Sequence, residues 1–206
     1  ATRLLCAQFG TRDLDGFGVG DLQDGLRAAG CLLQYVRDTQ RSSLPHVTAI
    51  GAERHSDALQ IDAATRRNLE IETSLGGDAA ASVAGVLDRC ATTMGSRLLR
   101  RWLNRPLRER AVLEQRYAAL DSLRSSARSA LSEALQEIGD LERILARIAL
   151  GSARPRDLAQ LRNACARLPA LKAQLAALDA PLLQALAVQL GDHADTHALL
   201  ARALID

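Results

Sequence analysis

Residues 139–178 read GDLERILARIALGSARPRDLAQLRNACARLPALKAQLAAL. Leu141, Leu145 and Ile148 recur at intervals of three and four, as do Leu158, Leu161, Cys165 and Leu168, and then Leu171, Leu175 and Leu178. Residues three and four apart share one face of an α-helix, so each series predicts an amphipathic helix with a single apolar stripe. The punctuation between them is equally regular. Gly139-Asp140 reads as a C′ glycine followed by a fresh N-cap, and Gly151-Ser152 with Pro155 repeats that signal.

Working outward, the same pattern continues in both directions. Downstream come Leu182, Leu186 and Leu190, then Leu199 and Leu200; upstream come Leu131, Leu135 and Ile138, then a stripe of Leu113, Tyr117, Leu120 and Leu123. Thr93 is expected to cap a helix carrying Leu98, Leu99 and Trp102 that stops at Arg105-Pro106, because the residue before proline disfavours the helical region. Val83 and Leu87 mark a shorter helix, and Asp62 offers an N-cap to residues 63–70. Ala58-Leu59-Gln60-Ile61 alternates like a short strand, as does Leu4-Leu5-Cys6-Ala7-Gln8-Phe9, which leads into a glycine-punctuated loop over residues 10–20. Leu22, Leu26, Ala29, Leu33 and Val36 then predict one more amphipathic helix after Asp21. Gly25 and Gly30 inside it each cost roughly 1 kcal/mol relative to alanine, which implies close packing against another backbone. The polar, pre-proline stretch Arg41-Ser42-Ser43-Leu44-Pro45-His46 divides the chain into residues 1–44 and 45–206.

Stripes this regular must be buried, and a single layer of helices cannot bury them all. No fixed repeat length relates them, which excludes a solenoid. The expected fold is therefore all-α, a multi-helix bundle with at most a short strand or two near the N-terminus. The leucine stripe runs to Asp206 without a cap or polar tail, so helices from later sequence are expected to complete the bundle.

Composition narrows the function classes. Apolar residues make up 48% of the chain and aromatics 2%, a balance that favours helices over sheets. Charged residues interrupt every apolar run before the ~18 residues needed to span a bilayer, so a soluble, cytoplasmic protein is expected. The four cysteines (Cys6, Cys31, Cys90, Cys165) lack Cys-x-x-Cys spacing and are read as reduced core residues. Net charge is only +2, too little for a chain that coats nucleic acid with its whole surface, so any DNA contact must be local.

A P-loop needs phosphate-cradling glycines followed by Lys-Ser or Lys-Thr, and the single lysine, Lys172, lies in Leu-Lys-Ala-Gln. Gly16-Phe17-Gly18-Val19-Gly20 faintly resembles a dinucleotide fingerprint, but Asp21 stands where the third glycine is needed, leaving a flexible turn as the reading. His193 and His197 have a zinc-compatible spacing without an evident third ligand beyond Asp192 or Asp195. Glu109 with Glu114, and Asp140 with Glu142, suit helix-surface salt bridges better than acid–base work, and Ser96 has no nucleophile elbow. No catalytic, cofactor-binding or metal-binding residue is assigned. One charge cluster remains: Arg97, Arg100, Arg101, Arg105 and Arg108, with Arg110 and a single opposing Glu109, carry net +5 over residues 97–110. The first five are candidates for contact with DNA phosphates; pairing with Glu114, Asp140 and Glu142 is the alternative. Trp102 is expected in the core.

Four stretches resemble the MutS family of DNA mismatch-repair proteins. Gly16-Phe17-Gly18-Val19 through Ala28-Ala29-Gly30-Cys31-Leu32-Leu33-Gln34-Tyr35 to Asp38-Thr39-Gln40-Arg41 is similar to the end of its connector domain. Ile61-Asp62-Ala63-Ala64-Thr65-Arg66-Arg67-Asn68-Leu69-Glu70 is similar to the opening of its core. Met94-Gly95-Ser96-Arg97-Leu98-Leu99-Arg100-Arg101-Trp102-Leu103 resembles a further core segment, as does Gly139-Asp140-Leu141-Glu142-Arg143-Ile144-Leu145-Ala146-Arg147 followed by Arg154-Pro155-Arg156-Asp157-Leu158. The resemblance implies a parent that binds mismatched DNA as a homodimer, uses ATP and Mg as an ATPase, and recruits MutL. It assigns the mismatch wedge, the DNA clamp and the P-loop to other segments, so this chain is expected to be non-enzymatic, the connector tail plus the first part of the lever. A stand-alone helical interaction scaffold and an arginine-mediated nucleic-acid-binding module are the rival readings.

Overall fold

A computed structural model describes residues 1–40, 44–52, 58–124 and 127–204. Among them are eleven α-helices and no sheet, with one isolated antiparallel bridge between Ala58 and Leu107. The all-helical bundle expected from the stripes is what the chain forms. The helices are α1 (Thr2–Phe9), α2 (Gln23–Gln40), α3 (Ala63–Asn68), α4 (Val83–Leu87), α5 (Thr93–Asn104), α6 (Arg110–Leu123), α7 (Ala127–Gln136), α8 (Leu141–Ala149), α9 (Pro155–Ala176), α10 (Pro181–Gln189) and α11 (Ala194–Ala203). Among the described residues no helix is long and apolar enough to cross a membrane. Two compact units divide the chain: residues 1–54 with 147–152, and residues 55–146 with 153–206.

In the first unit α1 packs on α2 around Leu5, Leu14, Val19, Leu26, Leu33 and Leu44. The strand expected over residues 4–9 is a helix. Gly10 adopts φ 66° and the Thr11 N–H returns to the Cys6 carbonyl at 3.0 Å, the glycine-terminated closure of a helix end. An extended segment here would have left its backbone groups without a partner strand among the described residues. Gly30 explains itself at this contact, because a Cβ there would lie 2.6 Å from the Ala1 Cβ; the expected close backbone is supplied by the chain itself. Gly25 meets only Leu22, just ahead of its helix, so no close backbone accounts for it. The Gln8 amide donates to the Leu44 and Val47 carbonyls at 2.7 and 3.0 Å, while Arg37 donates to Gln8 Oε1 at 2.6 Å. Those bonds fold residues 44–50 back onto α1. Of the predicted break at residues 41–46, the first three positions lie outside the described residues. The glycine loop is packed where a flexible turn was expected: the Phe17 ring stands 5.2 Å from that of Phe9.

The second unit is built on α9. The two predicted stripes ending at Leu168 and beginning at Leu171 belong to one 22-residue helix that continues through Pro169. Pro155 opens it at N1, and the buried Asp157 carboxylate accepts the Arg154 N–H at 3.0 Å, satisfying a donor at the helix start. Helices α7, α10 and α11 pack against α9, and α6 packs against α10. Leu131, Ile138, Ala164, Leu168 and Leu171 form the main cluster, continuous through Leu123, Leu175 and Leu178 with Ala119, Ala180 and Leu183. The α6 stripe is rotated from its expected position: Tyr117 and Leu120 are exposed and Ala119 is the buried residue. The small Ala119 lets α6 approach α10 closely, a preference that a count of large apolar residues misses.

Candidate nucleic-acid interface and the ties of its helix

Helix α5 carries most of the arginine cluster, and its start is fixed one residue earlier than the sequence suggests. Thr92 Oγ1 accepts the Gly95 N–H at 3.0 Å, making Thr92 the N-cap. Thr93 is thereby the first helical residue, and its hydroxyl donates to Asp140 Oδ2 at 3.0 Å. The helix ends ahead of Pro106, as expected. At that end the Asn104 carbonyl, which has no acceptor role left inside the helix, receives Arg66 Nη2 at 2.9 Å. Arg66 also donates through Nη1 to Asn104 Oδ1 and through Nε to the Ile61 carbonyl at 3.0 Å. Arg66 lies in α3, whose N-cap is the predicted Asp62, accepting the Thr65 N–H at 2.7 Å. A guanidinium at a helix C-terminus also opposes the negative end of the helix dipole. The bridge at Ala58 follows directly: Leu59 N–H donates to the Pro106 carbonyl at 2.8 Å, so the predicted strand-like segment pairs with the exit of α5.

Arg97, in the second turn of α5, is held by two carboxylates. Its Nη1 and Nη2 meet Asp140 Oδ2 and Oδ1 at 2.8 and 2.7 Å, while Nε and Nη2 meet Glu142 Oε2 at 3.0 and 2.6 Å. This two-pronged fit is the planar geometry that arginine offers and lysine does not. Asp140 additionally accepts the Arg143 N–H at 3.3 Å, the capping role predicted for it at the start of α8. The Arg97 guanidinium, with the Thr93 hydroxyl, holds the Asp140 carboxyl well below the usual carboxylate range, and hydrogen bonds to Asp140 and then Glu142 raise Arg97 in turn.

On the neighbouring residue, Ser96, the hydroxyl donates to Asp88 at 2.9 Å, and Asp88 also accepts the Cys90 N–H at 3.3 Å, with Arg100 Nη2 at 3.8 Å. Ser96 is the main reason that the Asp88 carboxyl lies below its ordinary value, and partial desolvation of the sulfur pushes the thiol of the otherwise exposed Cys90 up. Ser96 is thus a positioned partner of a carboxylate. Arg101 and Arg105 interact with other groups of the protein, and Arg108 is exposed beyond the helix end. At ~100° per residue, Arg97, Arg100, Arg101 and Asn104 share one face of α5. Arg110 pairs with Glu114 at 2.7 Å within α6. Trp102 departs from expectation: it is 42% exposed, with the Arg116 guanidinium 3.7 Å above its ring. The indole joins α5 to α6 by a cation–π contact in place of burial.

The remaining predicted positions do not converge. His193 is the residue before α11, with φ 45°, and Asp192 takes Lys172 Nζ at 2.9 Å. Cys165 is buried and Cys6 partly so, but Cys31 and Cys90 are exposed, which corrects the assignment of all four to the core.

The order of these features matches a known family. A model of MutS domain III matches residues 64–206, and one of MutS domain II matches residues 1–48. The chain belongs to the MutS family. Its resemblance segments are now placed: the stretch opening at Ile61 is the Arg66-bearing helix α3, Met94 to Leu103 is α5, and Gly139 to Arg147 is the carboxylate-bearing start of α8. Three of the four family-like stretches therefore meet around α5 of this MutS core segment. Sequence reasoning named Asp140 and Glu142 as possible arginine partners. It missed Arg66–Asn104 and Asp88–Ser96, neither of which has a local signal.

Proposed function

We propose that this chain is the connector tail and first part of the lever of a MutS-type protein, coupling an ATPase elsewhere in that protein to its grip on DNA. The observation that carries the reading is that α5 is tied at both ends. Thr93 and Arg97 fasten its first turns to the Asp140 start of α8, and Arg66 of α3 fastens its last carbonyl. Helices joined this way move as a body, and a rigid body delivers displacement from one end to the other. In this reading the parent binds ATP with Mg through a P-loop in another segment, acts as a homodimer and recruits MutL, while this chain performs no chemistry. The connector portion is residues 1–44 and the lever portion starts at 45; packing of Val47 and Ile50 on the Leu44 core favours an edge a few residues later.

Within the same reading Arg97 serves as a tie, and phosphate contact falls to Arg100, Arg101, Arg105 and Arg108. Titrating the chain with matched and mismatched short duplexes at two salt concentrations separates the alternatives. Salt-sensitive binding without mismatch preference supports an arginine-mediated module. Mismatch preference would move recognition into this chain, and no binding suits a lever or a scaffold. The coupling itself is tested in the ATPase-bearing protein with Leu145→Gly and Leu145→Pro, at an exposed position of α8. Both are expected to slow ATP-triggered release from mismatched DNA, the proline more, with ATP binding retained. Release at the normal rate in both would contradict rigid transmission.

A further inference from the structure

Between the end of α6, α7 and α9 runs a groove of about 590 Å³. Its floor is two pairs of leucines at i,i+4 spacing, Leu131 with Leu135 on α7 and Leu171 with Leu175 on α9. In each pair one leucine, Leu131 or Leu171, is buried in the α7–α9 core and the other, Leu135 or Leu175, is partly exposed, so the floor is the accessible edge of that core, and paired i,i+4 side chains of this kind are what the ridge of a third helix packs against. The edges are charged with one sign: Arg89 and Arg128 line the groove, together with Ser132, and no carboxylate does so among the described residues. The carboxylates that flank its lining residues in sequence are turned to other partners or to another side of their helix. Asp88 is engaged by Ser96 and the Cys90 N–H, and Glu133 lies about 160° round α7 from both Leu131 and Leu135.

We infer that this groove is a docking site for an acidic amphipathic helix, which lays leucine-class residues on the two ridges and sets carboxylates against Arg89 and Arg128. Apolar burial supplies the attraction and the two guanidinium groups select the sign of the flanking charge.

The test uses the whole chain and a synthetic helical peptide of about 18 residues, leucines along one stripe and glutamates on either side of it, with a lysine-flanked copy as control. The glutamate peptide is expected to bind at least about tenfold more tightly than the lysine peptide by fluorescence anisotropy. Arg128→Glu, an exposed position that spares the core, is expected to erase or invert that preference, and Arg89→Glu with Arg128→Glu to invert it fully. Equal binding of both peptides, binding of neither, or an unchanged preference in the Arg128→Glu variant overturns the inference. Decanoate probes a lipid-like ligand, and its binding in place of the peptide would equally overturn the assignment to a helix.

Discussion

Asp140→Asn removes one charge at the junction of α5 and α8 while keeping the side chain's shape. In the wild type this carboxylate is 19% exposed and accepts both Arg97 terminal nitrogens, the Thr93 hydroxyl and the Arg143 N–H. An amide in its place turns an NH2 group toward the guanidinium, so one prong of the pair is lost and another donor opposes it. Hydrogen bonds to charged groups contribute roughly 1.5–3 kcal/mol net. The upper end is out of reach, since Glu142 continues to hold Arg97 through Nε and Nη2. A loss of about 1.5–2 kcal/mol is expected, lowering the midpoint of the second unit's thermal transition by about 4–6 °C. The pH dependence identifies the cause. Asp140 has a folded pKa below its ordinary 3.8, so its stabilisation is fully present above that value and disappears as pH falls through the lower folded one. The gap between wild type and Asp140→Asn should therefore be constant from about pH 8 to 5 and narrow progressively as pH falls below 3.8. Glu142→Gln, at a largely exposed carboxylate, should cost under about 1 kcal/mol. Circular-dichroism melts across pH decide the matter: a gap below about 0.5 kcal/mol, or one that persists undiminished into acid, refutes the reasoning.

Three further outcomes follow from the packing. Leu168→Ala, deep in the α7–α9 cluster, should cost about 3 kcal/mol by urea titration, and a cost under about 1 would show that this cluster is not the core. Arg116→Ala should shift the emission of the single tryptophan, Trp102, to longer wavelength with a stability change of only about 0.5–1 kcal/mol; unchanged emission contradicts the stacked geometry. Arg66→Lys should destabilise nearly as much as Arg66→Ala, because one ammonium cannot serve the Ile61 carbonyl and both Asn104 oxygens together, and a lysine variant as stable as wild type counts against that tie.

Much of this architecture was legible from periodicity and punctuation. The α2 stripe, the apolar face of α9 apart from the break expected between Leu168 and Leu171, the Asp62 and Asp140 caps, the halt before Pro106 and the glycine at 151, with φ 65°, read correctly because each depends on nearby residues. Misreadings arose where a local pattern admits two answers or where partners are remote. Leu4 to Phe9 is too short for period alone to separate strand from helix, and Gly10 decides it. The α6 stripe chose large residues, whereas tight helix contact selected Ala119. Trp102 reads as core by spacing, but Arg116 on the next helix covers one face of it in place of a packed interior. The candidate site was half legible. Its arginines stand out by charge, and Asp140 and Glu142 read as possible partners, yet the 43-residue separation of Arg97 and Asp140 hides which arginine they take. The 38-residue separation of Arg66 and Asn104 hides that tie altogether. The stretches that meet at α5 carry a family pattern in sequence, but their meeting is a property of the fold alone.

The central claim is that α3, α5 and the start of α8 form one stiff body in the longer protein. Spin labels at exposed positions outside the ties, Arg67→Cys on α3, Leu98→Cys on α5 and Leu145→Cys on α8, read in pairs by electron–electron dipolar spectroscopy with and without ATP on mismatched DNA, measure this directly. Narrow distance distributions that stay the same in both nucleotide states are what a rigid lever gives. Distances within this group that broaden or shift by several ångström when ATP binds would show a body that bends, and the account of transmission through α5 would fall.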